Sequence, residues 1–236
     1  MDLREAGARS QSGLDKGRHM ARALVIGASG GIGQAVVQAL HDRGDDVVTL
    51  SRRADGLDVT DAASVAAVLG GLDGPFETIF VAVGVLGVPE KSLDAIDAGA
   101  MAQVFAVNAI GPALILRHLP RLLPRNGRSV CAVLSARVGS IGDNAIGGWH
   151  SYRASKAALN QIVHGAAIEL GRSHKDSIVV SLHPGTVETA FTANYAGRHK
   201  TVTAGEAAGN LLGVMDGLSA DQSGGFFDYA GKAVPW

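Results

Sequence analysis

The chain has 236 residues, 47% hydrophobic and 18% charged, a composition that suits one globular domain with a continuous core. A formal net charge of −1 provides no field to draw it to nucleic acid or an anionic membrane, and uninterrupted apolar runs such as 109–116 are too short to span a bilayer. The single cysteine, Cys131, excludes an internal disulfide, fits the reducing cytoplasm, and sits in an apolar run where a small buried hydrophobe is expected.

Residues 1–19 are polar, without apolar periodicity and without the hydrophobic centre of a secretion signal, so a disordered leader is expected ahead of a domain at 20–236. From Ala21 onward, short β-rich runs alternate with helical segments. Strands are predicted at 23–26, 46–50, 56–58, 78–83, 129–134, 178–182 and 225–228, and helices at 32–42, 61–69, 98–123, 151–172 and 205–218. Most of the strands are near-continuous apolar runs, as in sheets covered on both faces. The pattern predicts an α/β fold: a single Rossmann-type, doubly wound domain with a seven-stranded, mainly parallel sheet flanked by helices. Ligands of such sheets bind beyond the C-terminal ends of the strands.

Directly after the first predicted strand comes Gly27-Ala28-Ser29-Gly30-Gly31-Ile32-Gly33, opening a helix. In this spacing Gly27 turns the chain, Gly31 lets backbone approach a pyrophosphate, and Gly33 lets helix and strand pack closely, with Ser29 and Ile32 inside the same loop. Phosphates would lie at the helix N-terminus, where free N–H groups and the macrodipole favour negative charge. The second strand ends Leu50-Ser51-Arg52-Arg53, which reads as having no carboxylate at its C-terminal end. Arg52, supported by Arg53 and Ser29, therefore points to NADP(H), with NAD(H) as the alternative; two arginines in a solvated turn is the plain reading. Asp58 is placed either to meet an adenine edge or to cap the next helix.

Tyr152-Arg153-Ala154-Ser155-Lys156 opens the long helix near residue 151, and positions i and i+4 share one helix face. A lysine charge beside a phenol favours phenolate, so Tyr152 can exchange a proton with a carbonyl or alcohol oxygen while hydride moves between cofactor and carbon.

On these two motifs the sequence resembles the short-chain dehydrogenase/reductase family, from Ala21 to Trp236, and its segments 135–144, 147–160 and 226–236 look most like the C-factor-like, carbonyl-reductase-related branch. Gly27, Gly31 and Gly33 match the family's TGxxxGxG loop with Ile26 in place of threonine, and Tyr152 and Lys156 match its YxxxK. The resemblance implies that Asn108 holds a water near the lysine. It also implies that Pro184, Gly185, Val187 and Thr189 contact the nicotinamide amide. Two departures stand out. The family's Asn-Asn-Ala-Gly reads Val81-Ala82-Val83-Gly84 here, so only Gly84 remains to meet the adenine ribose. The substrate-orienting second serine of Ser-Ser-x-x-Gly is Ala136, leaving Ser135 as first substitute and Ser140 as second.

The expected substrate is a small-to-medium aldehyde, ketone or alcohol under a lid at 185–203, with Phe191, Tyr195, His199 and Lys200 available and Trp149 and His150 at the rim; Tyr229 is placed to close one side, and Trp236 either joins it or packs onto the core, the second being favoured. No His, Cys, Asp or Glu cluster has metal-ligand spacing, so no metal is expected. The resemblance implies a homodimer or homotetramer built on the helices near 98–123 and 151–172. The alternative to an NADP(H)-dependent reductase is a nucleotide-binding regulatory or signalling protein with slow or no turnover. A sugar-nucleotide epimerase is disfavoured, because the chain ends soon after Lys156.

Overall fold

The computed structural model describes residues 20–189 and 201–236. Six parallel strands form the sheet: β1 (Arg22–Ile26), β2 (Asp46–Leu50), β3 (Thr78–Val81), β4 (Ser129–Leu134), β5 (Ser177–His183) and β6 (Phe226–Asp228), in the order β2-β1-β3-β4-β5-β6. The register pairs Ile26 with both Leu50 and Val81, Leu134 with Leu182, and His183 with Asp228. Strand order reverses between β1 and β3, so the crevice of this sheet opens where those two strands end.

Among the described residues, eight α-helical segments accompany the sheet: α1 (Gly31–Asp42), α2 (Arg52–Asp55), α3 (Ala62–Gly70), α4 (Ala98–Phe105), α5 (Gly111–Leu116), α6 (Leu119–Leu122), α7 (His150–Leu170) and α8 (Ala204–Gly217). One apolar layer joins Leu24, Ile79, Val133 and Val179 to Leu159 and Val163 of α7, with Ile115 of α5. The other joins Ala23, Phe80 and Val180 to Val36 and Leu40 of α1 and Leu211 of α8. Alternation along each strand sends neighbouring residues to opposite layers, which is why the strands carry no polar face.

Two expectations need correcting. The predicted strand at 56–58 does not join the sheet, which has six strands and not seven. Gly56 closes α2 in a left-handed conformation (φ 67°), its carbonyl accepts the Ser64 hydroxyl, and the Asp58 N–H donates to Ser64 Oγ. Ser64 thus takes the backbone groups that a ladder would need. The single helix expected at 98–123 is also broken. Residues Ala106–Ile110 form a π-turn in which the Gly111 N–H donates to the Ala106 carbonyl, five residues back. Pro112 removes a donor just beyond it, and Pro120 opens α6. The run Ala98–Leu116 is nonetheless 19 residues, long and apolar enough by composition to cross a bilayer, which a count of unbroken apolar residues overlooked. Here it packs against α7.

Candidate active site

The glycine loop is built by steric exclusion. Gly27 has φ 88°, and a Cβ there would lie 2.5 Å from the Ala82 carbonyl oxygen at the end of β3. A Cβ on Gly33 would lie 2.2 Å from the Gly27 oxygen, and one on Gly31 would lie 2.9 Å from Cγ2 of Thr189. The Gly27 and Ala28 N–H groups donate to the Leu50 carbonyl at 2.8 and 3.1 Å, fixing the loop to β2. Helix α1 has Gly30 as its N-cap and receives no side-chain cap, so its leading N–H groups face the crevice end of the sheet. Such a cradle fits a dinucleotide pyrophosphate.

At the end of β2, Ser51 caps α2 by accepting the Ala54 N–H, while Asp55 accepts the Ser51 N–H at 2.7 Å. A carboxylate therefore does stand beside the end of β2; the sequence order had hidden it. Arg52 and Arg53 are exposed beside it. Asp58 accepts the Thr60 N–H and hydroxyl, and these bonds, more than the nearby Arg52, hold its carboxyl below the usual range. The cap of α3 is Asp61.

Tyr152 and Lys156 lie on the inner face of α7, 7% and 3% exposed. The Lys156 ammonium donates to the Leu134 carbonyl at 2.9 Å and lies 6.0 Å from the centre of the Tyr152 ring. A Cβ on Gly84 would lie 3.4 Å from both Lys156 Nζ and Asn108 Oδ1, so the end of β3, the π-turn and α7 meet at one point. Burial pushes the lysine down to about 7 and pushes the Tyr152 phenol well above its ordinary value. The Asn108 amide is engaged: Oδ1 accepts the Val85 N–H, and Nδ2 donates to the Val85 carbonyl and to Ser155 Oγ. This bracing of Val85 stands where the missing asparagine pair left a gap.

The candidate serines are both turned to structural partners. Ser135, 3% exposed, donates its hydroxyl to Asn160 Oδ1 at 2.6 Å; Ser140 donates to the Pro235 carbonyl and accepts the Asp143 N–H. Asn160 follows Lys156 by one helical turn on the same face, a spacing that could have marked it. His183 at the end of β5 was also overlooked; burial first, then Arg137, push it down to about 4, so it is neutral at physiological pH. Nδ2 of Asn160, Oγ of Ser181 and Nδ1 of His183 are buried without hydrogen-bond partners among the described residues.

Beyond β5, Pro184 and Gly185 lead to Val187, which bridges to Val202, and the Glu188 N–H donates to the Val202 carbonyl at 2.9 Å. Gly185 (φ 79°) lies against the Tyr229 ring, where a Cβ would come within 3.1 Å of it. Trp149 stands edge-on to Tyr152, while Trp236 stacks on Phe226. The leader at 1–19 and the lid residues Phe191, Tyr195, His199 and Lys200 lie outside the described residues. Cys131 is fully buried, and its thiol is pushed up to about 12.

Comparison with known proteins adds independent support. The family described as Enoyl-(Acyl carrier protein) reductase matches residues 27–214. The chain is 33% identical to the 1-hydroxy-2-glutathionyl-2-methyl-3-butene dehydrogenase of Rhodococcus sp. (strain AD45), over 92% of this chain and 100% of that one. It is 35% identical to C-signal of Myxococcus xanthus, over 69% of this chain and 94% of the relative. Among solved structures, the NADPH-bound carbonyl reductase from chicken fatty liver superposes with a TM-score of 0.74 at 25% identity, covering 92% of this chain and 99% of that one.

Proposed function

Because the chain belongs to the short-chain dehydrogenase/reductase family of oxidoreductases, we propose that it reduces a small aldehyde or ketone with NADP(H) in preference to NAD(H), Tyr152 delivering the proton. The observation that carries the reading is the meeting of Gly84, Asn108 and Lys156 beside Tyr152, next to a glycine cradle with no room for a Cβ at Gly27 or Gly33. Gly27, Gly31 and Gly33 with the N-terminus of α1 would hold the pyrophosphate, assisted by Ser29 and Ile32. Arg52 would hold the ribose phosphate, with Asp58 near the adenine and Gly84 near its ribose. Pro184, Gly185, Val187 and Thr189 would line the nicotinamide. When bound, the nicotinamide supplies hydride to the carbonyl carbon.

The protein's own part is the proton. The Tyr152 phenol is protonated at physiological pH, as an ordinary phenol is, and burial raises it further; this is the state a reductase needs in order to give a proton to the carbonyl oxygen. The phenolate left behind is stabilised by Lys156, whose position near 7 lets it gain and lose a proton under working conditions. Ser135 supports the site through its bond to Asn160. Exposed Ile110 and Ile168, on the helical run through the π-turn and on α7, support a homodimer or homotetramer. The lone cysteine is compatible with the cytoplasmic setting we propose.

The test is NADPH-dependent reduction of a panel of aldehydes and ketones, followed at the cofactor absorbance. Tyr152→Phe is expected to lower turnover at least about 1000-fold while NADPH affinity, read by fluorescence, stays within about twofold. Unchanged turnover would remove the phenol from the chemistry. A second reading, nucleotide binding with little turnover, draws on one observation: Ala136 has no hydroxyl, and Ser135 and Ser140 spend theirs on Asn160 and Pro235. Tight NADPH binding without turnover on any carbonyl would favour it.

A further inference from the structure

Residues 84–90 leave the end of β3, pass Asn108 and finish on the first turn of α7. Glu90 is only 6% exposed, although it is a carboxylate. The Ser151 N–H donates to its two oxygens at 3.3 and 3.2 Å, and the Ser151 hydroxyl makes a short bond to Oε1. The Glu90 carbonyl accepts the Trp149 N–H at 2.6 Å. Trp149 is the N-cap of α7, offers no side-chain cap, and adopts φ 52°, ψ 41°, a left-handed conformation that a bulky residue keeps only when its surroundings hold it there. The helix that carries Tyr152 and Lys156 is therefore capped by a carboxylate from 61 residues upstream.

We propose that Glu90 is a positioning residue: its buried carboxylate fixes the first turn of α7 and so sets both the place and the electrostatic surroundings of the Tyr152 phenol. The physical argument has two parts. Ser151 immediately precedes Tyr152, so the clamp acts one peptide from the phenol. A negative charge at the N-terminus of α7 also offsets the partial positive charge there, which would otherwise favour phenolate. Burial works against ionisation of Glu90, but its bonds with Ser151 and the neighbouring His150 more than offset that. The other charged groups of this turn are Arg153, whose guanidinium donates to the Gly148 and Val138 carbonyls, and Lys156.

The proposal rests on Tyr152 as proton donor, so its test includes a reading independent of turnover. The three tyrosines are replaced biosynthetically by 3-fluorotyrosine, whose phenol is more acidic, and titrated by fluorine NMR, the Tyr152 signal being identified by its loss in Tyr152→Phe. In Glu90→Gln, which keeps an acceptor for Ser151 and removes the charge, the Tyr152 midpoint is expected to fall by roughly half a unit to one unit. With 4-nitrobenzaldehyde and NADPH, kcat is expected to fall about tenfold in Glu90→Ala and less than about threefold in Glu90→Gln, with KM for NADPH within about twofold. Loss of melting temperature alone, with midpoint and kcat unchanged in Glu90→Gln, would overturn the proposal. Should Glu90→Ala not fold, Glu90→Gln decides by itself. Should the wild-type protein reduce no carbonyl, the proposed function fails while the titration still reads Glu90.

Discussion

The two halves of the site are made from different materials. Around the ends of β1 and β3, the cradle is backbone, defined by side-chain atoms that are absent: Gly27 and Gly33 leave no room for a Cβ. Around the ends of β4 and β5, the site is side chain, defined by buried polar groups that are present: Lys156, Ser135, Asn160, and Glu90 against Ser151. The first half is sensitive to added atoms at Gly27 and Gly33, the second to changes in its buried polar groups. A phosphate-binding surface needs close backbone approach, whereas proton transfer needs dry, charged groups held in place.

Adding one atom to the first half gives the largest expected effect. Gly33→Ala places a Cβ 2.2 Å from the Gly27 oxygen, a contact that must be relieved by moving either the loop or α1. Alanine in a helix interior gains about 1 kcal/mol over glycine, so a net loss of about 3 kcal/mol or more in urea unfolding would show that the clash wins. A neutral or stabilised variant would mean that the cradle yields, and the contrast between halves would be gone.

The second half breaks through charge. Lys156 sits near 7 in the fold and at 10.5 when exposed, so between these values the unfolded chain holds a proton that the folded chain has released. Stability must then rise with pH across that window, by about 1.4 kcal/mol per unit, and the full cost of burial is felt below it. Lys156→Met removes the slope: more stable than wild type near pH 7, it should lose that advantage towards pH 10 in parallel urea melts. His183 gives a matching limb on the acid side. Its position near 4 against 6.5 makes stability fall as pH drops through that interval, and His183→Gln should flatten the fall. A smaller effect is expected from Asn160→Ala, which strands the Ser135 hydroxyl and should cost about 1–3 kcal/mol. A loss near zero would show that the unpartnered Asn160 Nδ2 already offsets the bond at Oδ1.

The same division explains what could be read from the chain. Gly27, Gly31 and Gly33 were legible because only one residue type fits their space, and Tyr152 with Lys156 because four residues make one helical turn. Strand positions followed from unbroken apolar runs. The missing edge strand was not legible, since it depends on where one hydroxyl, Ser64, spends its bonds. Nor was the π-turn at Asn108, a one-residue widening inside an otherwise regular helical pattern. Glu90 carried no local signal at all, because its partner Ser151 becomes a neighbour only after β3 and α7 have packed. Asn160 did carry one, as the next residue of the Tyr152–Lys156 stripe, but an asparagine on a helix reads as polar surface until its burial is seen.

The finest expected effect concerns the boundary between the halves and the choice of cofactor. Asp55 stands at the end of β2, where a free carboxylate would suit the ribose hydroxyls of NAD, yet one of its oxygens already accepts from the Ser51 N–H and hydroxyl. Arg52 and Arg53 remain exposed on the same turn. If the guanidinium sets the preference, Arg52→Ala should weaken NADPH about tenfold and leave NADH within about twofold, as loss of one charge-assisted phosphate contact would. Equal losses for both cofactors would transfer the role to the fold of the turn itself. Asp55→Ala separates the two explanations: it removes the bond that shapes α2 while sparing the arginine. A variant that binds NADH less well and NADPH unchanged would show that the carboxylate, despite its engagement with Ser51, still reads the ribose.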